Sequence, residues 1–240
     1  MNPEQPKNPE QQSKKLDLNR NDMPKQPPEI RRSNFNEVAL GYTAELALAE
    51  AKRCMQCKKP RCVSGCPVQI DIPGFISHVV KGDFAGAIKK IKEKNCLPAV
   101  SGRVCPQEMQ CESKCILKNK EAEIAIGRIE RFCADWEAAQ GTVDIPPRAK
   151  PTGKKIAIVG SGPAGITVAG DLILLGHEVT MYEALHKAGG VLTYGIPEFR
   201  LPKAVVAREV AYLQKLGVEV FTNYVVGKTR SVDELLEEFD

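Results

Sequence analysis

Seven of the nine cysteines stand in two groups with short gaps, Cys54-x2-Cys57-x4-Cys62-x3-Cys66-Pro67 and Cys105-Pro106-x4-Cys111-x3-Cys115. Gaps of this size let one loop turn several thiolates towards a common centre, which is the ligand chemistry of an iron–sulfur cubane. In two-cluster ferredoxins the cysteine that precedes proline ligates the other cluster, and Cys66-Pro67 has that form, although the x4 gap departs from the ferredoxin spacing. Structural zinc is the competing reading. It favours paired CxxC units, and only Cys54-x2-Cys57 is one. Cys96 and Cys133 lie outside both groups and read as inert buried thiols, while His78, His177 and His186 show no ligand spacing.

A second constellation follows the apolar run Lys155–Val159: Gly160-Ser161-Gly162-Pro163-Ala164-Gly165, leading straight into a helix-forming stretch. In that context Gly160 permits a tight turn, Gly162 lets backbone approach a pyrophosphate, and Gly165 allows close packing of helix on strand. The helix N-terminus favours the phosphate charge. Glu183 ends the next alternating run and is placed to accept hydrogen bonds from a ribose hydroxyl. An acid there disfavours a 2′-phosphate, so FAD or NAD is expected rather than NADP. The alternative is a glycine-rich turn that binds nothing. Gly189-Gly190 can bring backbone against a further part of the same cofactor.

These residues need elements to position them. Residues 1–33 are rich in Pro, Asn, Gln and Lys and predict a mobile or draped arm. Thr43 to Arg53 predicts a helix that delivers Cys54. Pro73 fits a first helical turn, Gly82 its end, and Asp83 the cap of a helix whose apolar positions are Phe84, Ala87, Ile88 and Ile91. Ile129, Phe132, Cys133 and Trp136 fall on one face of a helix from Gly127 to Ala139. Residues 34–139 therefore form a helical domain, and residues 140–154, with their Pro and Gly and no periodicity, a linker. From 155 to 240 the pattern turns to strand and helix: strands at Lys155–Val159, His177–Glu183 and Val218–Thr222, helices at Pro163–Leu175 and Lys203–Leu216.

The chain has 240 residues, 42% apolar, with 34 Lys and Arg against 30 Asp and Glu. A net charge of +4, spread evenly, gives no nucleic-acid or membrane-surface footprint. No apolar run approaches the roughly 20 residues that span a bilayer, and the polar N-terminus lacks a signal-peptide core. A cytoplasmic protein is expected, and in that reducing setting nine cysteines point to metal or redox chemistry rather than disulfides.

RRSNFNEVALGYTAELALAEAKRCMQC, GRVCPQ at 102–107 and GGVLTYGIPEFRLPK at 189–203, with the cysteine spacing, make the chain similar to the small subunit of bacterial glutamate synthase and its relatives. Those relatives are the large subunit of NADH-dependent ferredoxin:NADP oxidoreductase and the N-terminal half of dihydropyrimidine dehydrogenase. The resemblance implies an α-helical N-terminal domain with two [4Fe-4S] clusters, followed by the start of an α/β Rossmann-like FAD-binding domain. Members of the family continue well past the last residue here, so the resemblance implies a fragment without the NADPH site, one that does not oxidise NADPH unaided. Implied flavin contacts are Ser161 to Gly165, Glu183, Gly189, Gly190, Val191, Arg200 and Val226. Implied partners are a glutamate synthase large subunit or a ferredoxin-linked small subunit.

Two cubanes need eight ligands and the two groups supply seven. If Cys66 crosses over, Cys54, Cys57, Cys62 and Cys115 hold one cluster, and Cys66, Cys105, Cys111 and one more hold the other. Cys96, Cys133 and Glu130 are the candidates, and the resemblance points to Glu130 in IGRIERF. The chemistry expected of such a set is electron transfer with no catalytic side chain: hydride donors give two electrons, clusters accept one each, and a flavin exchanges between them. A non-catalytic zinc-binding module is the alternative of another class.

Overall fold

The computed structural model describes residues 18–141 and 145–240, so the first 17 residues of the expected arm and three of the expected linker lie outside it. A helical layer is built first. A short helix α1 (Pro28–Arg31) is followed by α2 (Ala44–Lys52), whose N-cap Thr43 accepts a hydrogen bond from the Leu46 amide. Helix α3 (Arg61–Gly65) lies between the cysteines of the first group. Asp71 and Asp83 cap α4 (Ile72–Val80) and α5 (Phe84–Lys92), accepting from Gly74 N at 3.0 Å and Gly86 N at 2.8 Å. Helix α6 (Pro98–Val104) delivers Cys105, and three 3₁₀ turns carry the chain past Cys111 and Cys115 to α7 (Ile126–Ala139).

Phe75, Ile76, Ile91 and Ile129 have no exposed surface and form the centre of this layer. The Phe84 ring stands edge-on to Phe132 and Trp136, with centroids 5.0 and 5.8 Å away, which fixes α5 against α7.

The second unit is a three-stranded parallel sheet in the order β1 (Lys155–Val159), β2 (Glu178–Tyr182), β3 (Glu219–Phe221). Parallel neighbours require crossover connections. Helix α8 (Pro163–Leu174) supplies the first and α10 (Lys203–Leu216), after the single turn α9 (Val191–Tyr194), the second. Ile166, Ala169 and Ile173 of α8, which packs on β1 and β2, and Val205, Val206 and Leu213 of α10, which packs on α8, are buried. A capping box at Ser231 and Glu234 begins α11 (Val232–Glu238).

The described part of the arm is draped rather than free. Gln26 N donates to Val38 O at 2.9 Å, Leu40 N to Pro24 O at 2.8 Å, and Val38 N reaches across to Phe199 O at 3.0 Å in the second unit. The later half of the linker is likewise tied down, with Ala149 N donating to Leu174 O at 2.9 Å and Thr152 N to Gly176 O at 3.0 Å. The two units meet where Lys92 of α5 lies over the Tyr212 ring of α10, 4.7 Å from its centroid.

Candidate functional site

Cys54, at the end of α2, and Cys57 lie on one irregular loop, Cys62 is in α3, and Cys115 follows the second 3₁₀ turn, 49 positions beyond Cys66. The fold brings these four to one pocket, closed on its inner side by Ile72, Ile76, Leu117, Ile124 and Ile126. Burial, followed by the nearby thiols of Cys54, Cys115 and Cys57, pushes the Cys62 thiol up to about 11. Burial also raises Cys54, with Cys115 and Cys57 adding to it.

Cys66 turns away from its own group. Gly65 makes this possible, because a Cβ there would meet Gln110 O at 2.8 Å and the Cys111 Cα at 3.1 Å. The Cys105 thiol is raised to about 11 by burial and then by Glu130 and Cys66. Cys111 is pushed well above the ordinary thiol range by burial and by Glu112, Glu130, Cys66 and Cys105. Cys66, Cys105, Cys111 and Glu130 therefore form a second neighbourhood, in the crossed arrangement expected from Cys66-Pro67.

Glu130 is 5% exposed, and burial lifts its carboxyl to about 7, opposed by hydrogen bonds from Ser101 and Asn95. Both land on one oxygen: Ser101 Oγ donates to Oε1 at 2.6 Å and Asn95 Nδ2 at 2.8 Å. Cys133, one turn further along α7, is fully buried, and burial together with the Glu130 charge pushes its thiol far up. Cys96 stands apart from both groups, close to Gly170 of α8. The histidines have ordinary partners: His78 with Asp83 at 2.7 Å, His177 with Thr152 at 2.7 Å, His186 with Tyr194 at 3.2 Å.

Among the described residues, no group of three or more His, Cys, Asp and Glu is arranged to hold a single metal ion. Cubane ligands bind four separate irons and stand further apart than the thiolates on one zinc, whose Zn–S bonds are about 2.3 Å. The donor set suits a metal-borne positive charge, whether of a cubane or of zinc: buried, mutually repelling thiolates form only against such a charge.

The glycine-rich turn has the form expected of a dinucleotide site. Gly160 takes φ +97°, and a Cβ on either Gly160 or Gly162 would meet no atom within 4 Å, so the backbone there borders open space. At Gly165, by contrast, a Cβ would lie 2.1 Å from Gly160 O, so only glycine lets α8 approach the turn. No side chain caps α8 at Gly162, and Pro163 occupies its first turn. The first-turn amides of α8, uncapped by any side chain, are of the kind that can receive an anion.

Ser161 and Glu183 are both buried and tie the site together. Glu183 Oε2 accepts from Ser161 N at 3.0 Å and from Ser161 Oγ, Oε1 accepts from Leu185 N at 2.8 Å, and Gly189 N donates to Ser161 Oγ at 2.9 Å. Burial disfavours the Glu183 charge, but the hydrogen bonds from Ser161, Leu185 and Ala184 outweigh it and hold its carboxyl below the usual carboxylate range. Gly190 approaches Gly162 so closely that a Cβ would meet its Cα at 2.8 Å, and Val191, 56% exposed, begins α9 beside it. Arg200 lies elsewhere, in a basic cleft with Lys25, Arg31, Arg32, Arg103 and Arg131, and Val226 lies on the turn after β3. Sequence reasoning missed Ser101 and Asn95 as holders of Glu130; as isolated polar residues they carry no pattern.

Residues 31–142 match the family model for dihydropyrimidine dehydrogenase domain II with its 4Fe-4S cluster. The NAD-dependent dihydropyrimidine dehydrogenase subunit PreT of Escherichia coli K12 is 40% identical over 204 residues, 85% of this chain and 49% of the relative. The glutamate synthase [NADPH] small chain of the same strain is 37% identical over 225 residues, 94% of this chain and 48% of the relative. That of Bacillus subtilis strain 168 is 35% identical over 234 residues, 94% and 47%. The chain spans about half the length of these curated relatives. No helix among the described residues is long and apolar enough to cross a membrane. With the cysteine pattern and the domain II match at its centre, the chain is similar, over the half of their length that it spans, to glutamate synthase small chains and PreT-type subunits.

Proposed function

We propose that this chain is the electron-transfer half of a cytoplasmic flavin and iron–sulfur NAD(P)H oxidoreductase of the glutamate synthase small-chain type. Cys54, Cys57, Cys62 and Cys115 hold one [4Fe-4S] cluster, and Cys66, Cys105, Cys111 and Glu130 hold the other. The turn Gly160–Gly165, with Glu183, Gly189, Gly190 and Val191, holds FAD on a Rossmann-like unit. Val226, on the turn after β3, serves the same flavin, whereas Arg200, in its separate basic cleft, does not. When bound, the flavin takes up two electrons from NADPH and the clusters pass them on singly. The chain's own residues bind and orient: the unpaired amides of α8 receive the pyrophosphate, Glu183 keeps an ionised carboxylate for the ribose, and the isoleucine wall keeps water from the first cluster.

The observation that carries this reading is the crossed grouping of thiols, Cys115 joining the first three and Cys66 the second set. Iron and acid-labile sulfide analysis with a visible spectrum tests it. About eight irons per chain and a broad band near 400 nm are expected, whereas colourless protein with stoichiometric zinc overturns it. The partner class is decided by what co-purifies with the full-length protein: a glutamate synthase large subunit is expected, and a ferredoxin-linked or dihydropyrimidine dehydrogenase subunit selects the other branch.

A further inference from the structure

The stretch Cys111–Cys115 runs from the second cysteine neighbourhood to the first, so it has a ligand position at each end. Between them Glu112 is only 3% exposed. Its carboxylate accepts from Gly127 N, at the start of α7, at 3.2 Å, and from Arg20 Nη2 at 2.6 Å. The other arm of the Arg20 guanidinium donates to Glu123 Oε1 at 3.0 Å. The next residue grips the opposite side. Asn21 N and Nδ2 both donate to Glu50 Oε2 at 2.9 Å. Glu50, fully buried, accepts on its other oxygen from Arg53 Nη1 at 2.5 Å and Ala125 N at 2.9 Å. Arg53 adjoins Cys54. The Asn21 carbonyl is itself held, accepting from Tyr42 Oη at 2.5 Å and Arg128 Nη1 at 2.8 Å.

Two consecutive residues of the N-terminal segment thus reach both cysteine-bearing segments. Resting on the two-cluster reading, we propose that Arg20 and Asn21 are positioning residues: a staple that fixes the Cys111–Cys115 segment relative to Cys54 and so sets the geometry of both clusters together.

The energetics favour a positioning role over plain stability. Arg20 Nε and Glu123 Oε2 are buried with no hydrogen-bond partner, so the triad is incompletely satisfied. Arg20 is 24% exposed and Glu123 also pairs with Lys118 at 3.1 Å, so the pairs are partly buried; ion pairs drawn out of water recover little of their desolvation cost, and their best-attested use is to fix one arrangement among several. Groups standing behind metal ligands tune the site through orientation, and losing one typically weakens metal retention about 10- to 100-fold.

The test uses the full-length protein, anaerobically reconstituted, as wild type, Arg20→Met, Asn21→Ala and, as a control, Lys92→Met. The control breaks the Lys92–Glu137 ion pair (2.6 Å) between α5 and α7, whose two residues line neither cysteine group. Iron content, the rate of iron release to a chelator and the EPR spectra of the reduced clusters are measured. In Arg20→Met we expect both cluster signals to change line shape together and iron release to accelerate roughly tenfold. Asn21→Ala should show the same in weaker form, and Lys92→Met neither. Faster release with unaltered EPR signals makes the staple merely structural and overturns the proposal, as does a change confined to one cluster or no change at all. Should Arg20→Met fail to fold, Asn21→Ala decides by the same criteria. Wild type lacking iron overturns the cluster reading and the staple with it; wild type with about eight irons beside unaffected variants overturns the staple alone.

Discussion

Ser101, on the helix that leads into Cys105, donates its hydroxyl to Glu130, on the helix packed across it, at 2.6 Å. One hydrogen bond therefore joins the segment of a thiolate ligand to the proposed oxygen ligand, and Asn95 completes the hold on the same carboxylate oxygen. An oxygen donor is harder than thiolate and distinguishes its cluster from an all-thiolate neighbour. Glu130→Ala is expected to alter the EPR signal or potential of one cluster and spare the other, and Ser101→Ala to shift the same signal less. Cys133→Ala should leave both signals intact. If Cys133→Ala instead loses about four irons, a whole cubane, and Glu130→Ala loses none, Cys133 is the eighth ligand.

Two glycines of the same motif separate ligand binding from packing. Gly162 faces open space with φ −66°, so Gly162→Ala should fold normally and lose flavin affinity about tenfold, or 1.4 kcal/mol. Gly165→Ala forces a methyl against Gly160 O and should destabilise the fold by about 1–3 kcal/mol. Thermal unfolding with flavin titration on the full-length protein distinguishes them. Equal destabilisation of both variants would show that the turn is only a packing device.

Glu183 gives a companion prediction. Its Oε2 is taken by the amide and hydroxyl of Ser161, while Oε1 accepts only from Leu185 N and has a second lone pair to offer a ribose. Glu183→Ala should weaken flavin retention while cluster iron stays at the wild-type level. Unaltered flavin occupancy counts against the ribose contact.

The sequence was most legible where period and punctuation agree. The α5 and α7 patterns, the Gly82 stop and the Asp83 cap all appear as expected, because each depends on neighbours within one turn. β2 is one residue shorter at each end than its alternation suggests, since the ladder stops where the Glu183 side chain turns to the glycine loop. Helix α6 was invisible: its seven residues include a proline, a serine and a glycine, and what holds it is its packing on α7. The arm, residues 1–33, reads in the sequence as mobile or draped, and only the fold decides that its described part is draped. Its polar composition suits an arm, and its order comes from Glu50, Glu112 and Val38, partners far away in sequence or across the strap.

Glu209 of α10 offers a pH-dependent test of how the two units hold together. It is half-buried, and burial lifts its carboxyl from 4.5 to about 7, with the Lys92 charge and the Ala99 amide opposing the shift and Glu137 and Arg208 also acting on it. Lys92, Glu137 and Ala99 belong to the helical layer, so the Glu209 carboxyl titrates against groups from across the seam. A carboxyl with a raised folded-state pKa binds more protons folded than unfolded, and stability therefore falls as pH rises from about 4.5 to about 7 and is level above that. The size of this contribution is on the order of 1–3 kcal/mol. Glu209→Gln keeps the shape and removes the charge. The variant is expected to match wild type near pH 4.5, gain on it steadily through pH 7, and hold a constant advantage beyond. Chemical denaturation of the cluster-loaded protein across that range checks it, and a wild-type-to-variant difference that is flat with pH sinks the idea that Glu209 loosens the seam when it ionises.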